Sequence, residues 1–211
     1  HCARDSDHVV AIDRAGGLAA ALLGCKFHFL SLELRRSRLL RVLLRTRGKS
    51  VVIQSRERLE YLLGSADPAS VPVHLVQNAP SFAPLNVAPA AEPRTDGPRL
   101  VYFGSIIERH GLSCMLALLR AWPDAMLTMR GPLQPDASLL LQAKAADLLR
   151  SGRLRICDGY IEEDQISGFL AGFDIGLCFY DLDERARNDF NYVSSPSGKM
   201  FNYFAAGIPV L

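Results

Sequence analysis

The chain has 211 residues, of which 49% are hydrophobic and 22% are charged, and its formal net charge is +2. This composition is typical of a globular protein with a hydrophobic core, and it excludes disordered and fibrous classes. The nearly balanced charge gives no reason to expect a nucleic-acid partner. The five cysteines are scattered without a CxxC pair, so they predict buried thiols in a reducing cytoplasm and no metal site.

Short apolar runs alternate with longer helix-like stretches along the chain. This rhythm is typical of βαβ units that build parallel sheets, so we predict an α/β protein. A segment rich in Pro, Ala and Asn, residues 81–98, has no helical or strand period and is predicted to be a linker between domains 1–80 and 99–211. The predicted strands are 8–13, 26–30, 50–53, 71–76, 99–103, 125–129, 154–158, 173–180 and 209–211.

A basic amphipathic segment lies in the first domain at residues 35–47, where six arginines surround apolar pairs. A helix of this pattern would bind peripherally to an anionic membrane surface. Alternatively, its apolar stripe packs against a sheet while the arginines are solvated. The longest uncharged apolar run, 15–25, is far shorter than the roughly 20 residues of a transmembrane helix. We therefore predict a cytoplasmic protein, with contact at the inner face of the membrane as an open alternative.

Candidate ligand-binding residues follow three predicted strands of the second domain. Ligands of open parallel sheets bind beyond the carboxyl ends of the strands. The first turn contains Gly104, Ser105 and His110, and its glycines would allow a phosphate to approach the backbone. The second contains Arg130, a cation suited to a diphosphate, and the third contains Tyr160. Plain turn chemistry and solvated charge are the alternatives for these positions.

The most informative segment is 194–209. Ser195 is predicted to cap a helix that Gly207 ends, and Ser195, Lys199 and Asn202 share one face by their spacing. The helix start and a lysine one turn later would bind a leaving diphosphate, unless Lys199 points to water. The packing face is expected to consist of Met200, Phe201, Phe204 and Ala205.

Asp181 and Asp183 have the spacing of a D-x-D metal site. No third ligand is apparent in the sequence, so we favour a structural loop at this position.

Four segments of the second domain, 100–105, 127–131, 157–160 and 195–210, together resemble the donor-binding domain of family-four GT-B glycosyltransferases. Parts of the first domain, including 9–13 and 29–34, are similar to the rear of that family's acceptor domain. The resemblance implies a GT-B fold of two Rossmann-like domains, both incomplete in this chain. It also implies a UDP- or GDP-linked sugar donor, no obligatory cofactor or metal, and commonly retention of configuration.

The resemblance further implies an unknown glycan, lipid-linked or small-molecule acceptor and a place in polysaccharide or glycoconjugate biosynthesis. Arg130 and Lys199 would stabilise the departing diphosphate, and Asp13, with Glu33 as a second candidate, would contact the sugar or acceptor. The donor would be bound by Gly104, Ser105, His110, Arg130, Tyr160, Ser195, Lys199 and Asn202.

The chain departs from the family at two pairs of positions. The family often has arginine and lysine where this chain has Ser105 and His110, and acidic residues where it has Ser194 and Asn202. These departures leave open a non-catalytic nucleotide-sugar-binding partner subunit or a nucleotide-sugar epimerase. We expect the 211 residues alone to be inactive.

Overall fold

The computed structural model describes residues 8–64, 71–77, 97–181, 194 and 197–211, so the predicted linker lies outside it except for residues 97 and 98. The described residues form two compact units. The first contains residues 8–64 and 71–77 together with Ser194, and the second contains 97–181 and 197–211. Each unit has a four-stranded sheet in which every neighbouring pair of strands is parallel.

The first unit alternates strands and helices, and its sheet has the order β1-β2-β3-β4. One face of this sheet lies in the core, where Phe27, Phe29, Val51 and Ile53 are at most 1% exposed. The opposite face is more open at β1, where Val10 and Ile12 are 61% and 50% exposed. The elements are β1 (Val10–Ile12), α1 (Asp13–Leu22), β2 (Phe27–Leu30), α2 (Arg38–Arg47), β3 (Gly48–Ile53), α3 (Arg56–Leu63) and β4 (Val73–Leu75).

Helix α2 occupies most of the basic segment. The Ser37 hydroxyl caps it by accepting a hydrogen bond from the Leu40 amide. Leu40 and Leu44 are buried, so this side of the helix packs in the unit, as one of the two alternatives predicted. The opposite side exposes Leu39 and Val42, which are 56% and 55% exposed. No helix among the described residues is long and apolar enough to cross a membrane.

The second unit has the strand order β7-β6-β5-β8. The chain moves outward from β5 through β6 to β7 and then crosses to the other side of β5, which creates a topological switch point between β5 and β8. A 3-10 turn at Glu108–His110 precedes α4. The elements are β5 (Arg99–Phe103), α4 (Leu112–Ala121), β6 (Met126–Arg130), α5 (Pro135–Lys144), α6 (Ala146–Arg150), β7 (Leu154–Cys157), α7 (Glu163–Leu170), β8 (Ile175–Gly176) and α8 (Gly198–Ala205).

Alternate residues of β5 pack on the two faces of this sheet. Leu100 and Tyr102 lie in a core with α4, α5 and α6, whereas Val101 packs with Leu170 of α7 and Tyr203 of α8. The sheet is therefore covered on both faces around β5, and its carboxyl edge carries the turns that the sequence singled out.

The predicted strands agree with the structure at eight of nine places, with different lengths. Residue 13 was predicted to belong to β1, but Asp13 has a left-handed backbone (φ 53°) and begins α1. The predicted strand 173–180 is reduced to Ile175–Gly176. The last predicted strand is wrong: among the described residues, Val210 makes a single bridge to Gly176.

Candidate functional site

Glycine turns join the carboxyl ends of β5, β6 and β7. The Gly104 amide donates to the Arg130 carbonyl at 2.9 Å, and the Gly131 amide donates to the Cys157 carbonyl at 3.1 Å. A Cβ on Gly131 would lie 2.1 Å from the Gly104 carbonyl oxygen, so a side chain cannot fit there. Gly104 and Gly131 have φ values of 130° and 147°, which favour glycine. The edge is thus a closely packed backbone surface.

Lys199 lies in α8 on the side of the helix that faces the sheet. Its Nζ donates a hydrogen bond to the Tyr102 hydroxyl oxygen at 3.1 Å. The same Nζ lies 4.5 Å from the ring centre of Tyr102 and 5.1 Å from that of Tyr180, within the range of cation–π attraction. We call Tyr102, Ser105, His110 and Lys199 the Tyr102 cluster.

This placement corrects the predicted division of the helix. The residue on the inner face one turn after Lys199 is Tyr203, which is fully buried, while Phe204 is 56% exposed. The expected apolar face at Phe204 is therefore wrong, and the lysine belongs to the packed side. The helix also begins later than predicted: Ser197 occupies the N-cap position, and Ser195 lies outside the described residues.

The Lys199 ammonium is a half-buried charge with no carboxylate partner among the described residues. Burial lowers its pKa from 10.5 to about 8. Across the described parts of the chain, no carboxylate lies within 4.0 Å of Nζ, because the ion pairs there join Arg99 to Asp174 and Arg120 to Asp147. Charges removed from water in proteins are usually paired, and none of the described carboxylates pairs with this one.

The Tyr102 hydroxyl connects Lys199 to the turn after β5. It donates to the Ser105 carbonyl at 2.8 Å and lies 3.0 Å from His110 Nδ1. Burial, followed by the neighbouring Tyr180 and Tyr203, raises the Tyr102 pKa, so the phenol stays protonated. Tyr102 is a functional candidate that the sequence reasoning missed. Its signal was the alternation in β5, which directs this polar side chain into a core.

His110 is a neutral imidazole in this cluster. Burial and the charge of Lys199 lower its pKa to about 4. The Ser105 carbonyl lies 3.1 Å from its Nδ1. His110 and Ser105 are thus brought together with Lys199, but His110 does not supply the positive charge of the lysine common in the resembling family.

Tyr203 fixes α8 to the sheet. Its hydroxyl accepts a hydrogen bond from the Phe103 amide at 2.9 Å and lies 3.2 Å from the Leu177 carbonyl, to which it donates. Its ring lies against Gly176, where an added Cβ would come within 2.5 Å of a ring carbon. The side chain therefore positions the helix, and with it Lys199 one turn earlier.

Arg130 and Tyr160 occupy the neighbouring part of the same edge. Arg130 Nη2 donates to the Tyr160 carbonyl at 3.1 Å, and the Tyr160 side chain is 84% exposed. Arg130 Nε is buried and has no hydrogen-bond partner among the residues that the structure describes. No contact there joins Arg130 to Lys199. Asn202 is half-buried on α8, and no described residue forms a hydrogen bond with its side chain.

Asp13 is held in the first unit by backbone contacts. Its Oδ1 accepts hydrogen bonds from the amides of Leu32 and Glu33 at 2.8 and 2.9 Å, so the carboxylate anchors the loop after β2. The buried Arg58 donates to the Leu32 carbonyl at 2.8 Å in the same loop. A role of Asp13 or Glu33 toward sugar or acceptor stays a prediction.

The predicted absence of a metal requirement also stays a prediction. In the described ranges, no three side chains of His, Cys, Asp or Glu come together as metal ligands. Asp183 of the D-x-D pair lies outside those ranges.

Comparison with protein-family models and with curated proteins found no match. Solved structures do match. Anabaena Alr3699/HepE in complex with UDP-glucose has a TM-score of 0.64 at 14% identity and aligns with 92% of this chain and 55% of its own. A trehalose-6-phosphate structure from E. coli bound with UDP-2-fluoro glucose gives 0.62 at 12%, covering 95% and 56%. The lipopolysaccharide outer core galactosyltransferase WaaB in its apo form gives 0.61 at 17%, covering 97% and 55%.

These neighbours have the GT-B fold of glycosyltransferases. At such low identities the likeness establishes the fold alone. The chain therefore has the α/β GT-B architecture of two parallel-sheet units, as predicted, and it spans just over half the length of the structures that it matches.

Proposed function

We propose that this protein is a glycosyltransferase that moves a sugar from a nucleotide-diphosphate donor to an acceptor. The observation that carries the proposal is Lys199, a half-buried cation without a carboxylate partner in the described chain, beside the turn after β5 at the switch point of a GT-B sheet. This is where open parallel sheets bind nucleotides. A diphosphate would supply the missing negative charge.

The chemistry of glycosyl transfer fits this arrangement. The bond between the sugar carbon and the diphosphate oxygen breaks, and its electron pair remains on the diphosphate, so negative charge develops there. A preorganised cation in a site with little water stabilises that charge strongly. Lys199 is protonated below about pH 8, which suits the task at neutral pH. Arg130, with its buried unpartnered Nε, would bind another part of the donor.

Further details of the proposal rest on the family resemblance. They are a UDP- or GDP-linked donor, transfer with retention, independence from metal, and a role in polysaccharide or glycoconjugate biosynthesis. The neighbouring structure of Alr3699/HepE supports the nucleotide-sugar part, since that protein is in complex with UDP-glucose. We also propose that donor binding involves Gly104, Ser105, Tyr160, Ser195 and Asn202.

A non-catalytic nucleotide-sugar-binding subunit is the second candidate. It is favoured by the neutral state of His110 and by the amide of Asn202, since the resembling family has a lysine and an acidic residue there. Nucleotide-sugar binding is common to both candidates. Transfer of the sugar to an acceptor, with release of the nucleotide, distinguishes the enzyme from the binding subunit.

The test is calorimetric binding of UDP-glucose and GDP-mannose, followed by a radiolabelled transfer assay of the full-length protein with the same donors. Lys199→Ala should weaken binding of the preferred donor at least tenfold, because it removes a charge-assisted contact. Lys144→Ala, which changes an exposed lysine of α5, is the matched control and should bind like the wild type. Unchanged donor binding in Lys199→Ala would refute the assignment.

We further propose that the exposed side of α2 contacts the inner face of a membrane from the cytoplasm. Arg38 and Arg45 lie on the exposed surface together with the apolar Leu39 and Val42, which combines attraction to anionic lipid with insertable side chains. The protein should co-sediment with phosphatidylserine vesicles and not with phosphatidylcholine vesicles. The double variant Arg38→Glu and Arg45→Glu should lose this binding; a variant that still sediments would contradict the proposal.

A further inference from the structure

The two ring nitrogens of His110 have different surroundings. Nδ1 lies 3.1 Å from the Ser105 carbonyl oxygen and 3.0 Å from the Tyr102 hydroxyl oxygen. Nε2 forms no hydrogen bond with any residue that the structure describes. The ring is half-buried, and its other neighbour is Tyr180, in an edge-on contact at 5.4 Å between ring centres. Among the described residues, Nδ1 is therefore bonded to the protein, and Nε2 has no partner and could bind a ligand.

The positions of the hydrogens follow from the partners. A carbonyl oxygen can only accept, so the 3.1 Å contact with Ser105 is favourable only if Nδ1 carries a hydrogen. The Tyr102 hydroxyl gives its single hydrogen to the same carbonyl at 2.8 Å, which leaves its lone pairs for Nδ1–H and for the Lys199 ammonium. Every contact of the cluster is then satisfied.

The opposite tautomer does not fit these contacts. It would place the Nδ1 lone pair 3.1 Å from a carbonyl lone pair, which is repulsive. It would also require Tyr102 to divide one hydrogen between Nδ1 and the Ser105 carbonyl. The hydrogen is therefore on Nδ1. A second hydrogen on Nε2 would make the ring a cation, which burial and the Lys199 charge disfavour by lowering the His110 pKa to about 4, so Nε2 presents a lone pair. A lone pair repels phosphate oxygens and accepts hydrogen bonds from hydroxyl groups.

We infer that His110 is a specificity residue that accepts a hydrogen bond from a hydroxyl group of the donor, while Lys199 binds the diphosphate. The inference rests on the proposed function, because it needs a nucleotide sugar in this site. His110 and Lys199 both contact one phenol oxygen, at 3.0 and 3.1 Å, so a ligand whose phosphate binds the lysine has its neighbouring hydroxyl groups near the imidazole. Such hydroxyl groups belong to the ribose or to the transferred sugar.

The experiment measures by calorimetry how three kinds of probe bind to the 211-residue chain. The probes are pyrophosphate, the nucleotides UDP and GDP, and the nucleotide sugars UDP-glucose and GDP-mannose. His110→Ala should leave pyrophosphate affinity within about twofold and weaken the preferred nucleotide sugar about five- to tenfold, the cost of one hydrogen bond. His110→Gln should recover most of this loss, because its side-chain oxygen can accept. If His110→Ala already binds the nucleotide more weakly, the hydrogen bond comes from a ribose hydroxyl. If only the affinity for the nucleotide sugar falls, it comes from a hydroxyl of the sugar.

Two results would overturn the inference while the proposed function stands: an equal loss of pyrophosphate affinity in His110→Ala, or no loss with any probe. A second measurement is independent of the variants. Long-range proton–nitrogen NMR of the wild type should find the His110 hydrogen on Nδ1 at pH 7, and a hydrogen on Nε2 or on both nitrogens would also overturn the inference. If the wild type binds none of the probes, the proposed function fails, and the role of His110 fails with it.

Discussion

Lys199→Met should make the unliganded protein more stable at neutral pH. The wild-type ammonium is charged in both the folded and the unfolded chain at pH 7, but folding buries it without a described carboxylate partner. Methionine has a similar length and no charge, and it tolerates contact with the two tyrosine rings. The perturbation therefore removes the cost of burying a charge and keeps the packing.

The magnitude follows from the lysine pKa, which falls from 10.5 to about 8 on folding. Each pKa unit corresponds to about 1.4 kcal/mol, so the buried charge costs on the order of 3 kcal/mol. The attraction of the ammonium to each of the Tyr102 and Tyr180 rings offsets about 0.5–1 kcal/mol of this cost. We expect the free energy of unfolding to rise by about 1–2 kcal/mol in the variant.

The pH dependence tests the cause. Because the folded pKa lies below the unfolded value, the cost is fully present below about pH 8 and disappears as the pH rises toward 10.5. Urea unfolding at pH 7 and at about pH 10 should therefore give a difference between variant and wild type that shrinks with pH. Lys144→Met, on the exposed surface of α5, should have no such dependence. A variant less stable than the wild type at pH 7, or a difference equal at both pH values, would refute the reasoning.

Two further predictions concern Gly111 and Asp13. Gly111→Ala should lower the free energy of unfolding by about 2–4 kcal/mol, because the φ of Gly111 is 75° and the new Cβ would lie 2.4 Å from Phe179 Cβ. Gly152→Ala is the control: Gly152 has the same φ but open space around it, so this variant should lose only about 1 kcal/mol. Equal losses of the two variants in urea unfolding would contradict this account. Asp13→Ala should cost about 1–3 kcal/mol, because two amides lose their acceptor. Asp13→Asn keeps Oδ1 and should cost less, since it loses only the attraction of the carboxylate to the buried Arg58 guanidinium. If Asp13→Asn also keeps full transfer activity, the predicted contact of this carboxylate with sugar or acceptor is wrong.

The strands of the second unit could be predicted closely because their apolar runs are short and end at turn residues. β5 matches its predicted range of 99–103, β6 is shifted by one residue from 125–129, and β7 ends one residue before the predicted 158. β8 could not be predicted in this way. Its sequence is apolar enough for a strand of eight residues, but only Ile175 and Gly176 pair with β5. Apolar composition predicts burial, and the pairing of backbone groups is decided by tertiary contacts.

The site was predicted by residue type and only partly by arrangement. Lys199, Ser105 and His110 were all singled out, and the structure brings them together. Their connection through Tyr102 was missed, because a helix with separate polar and apolar faces places a lysine in water. A buried tyrosine hydroxyl changes that rule, since it offers the ammonium an acceptor inside the packed face.

The hydroxyl of Tyr203 takes the place of one backbone hydrogen bond between two neighbouring strands of the sheet. The Leu177 amide donates to the Val101 carbonyl, so in a continuous parallel ladder the Phe103 amide would next donate to the Leu177 carbonyl. The phenol oxygen lies between that amide and that carbonyl and bonds to both. The Tyr203 side chain of α8 is thus inserted between the end of β5 and Leu177, which follows β8. The separation of the two strands beyond Val101 is consequently fixed by hydrogen bonds to a helix side chain, at the switch point of the sheet.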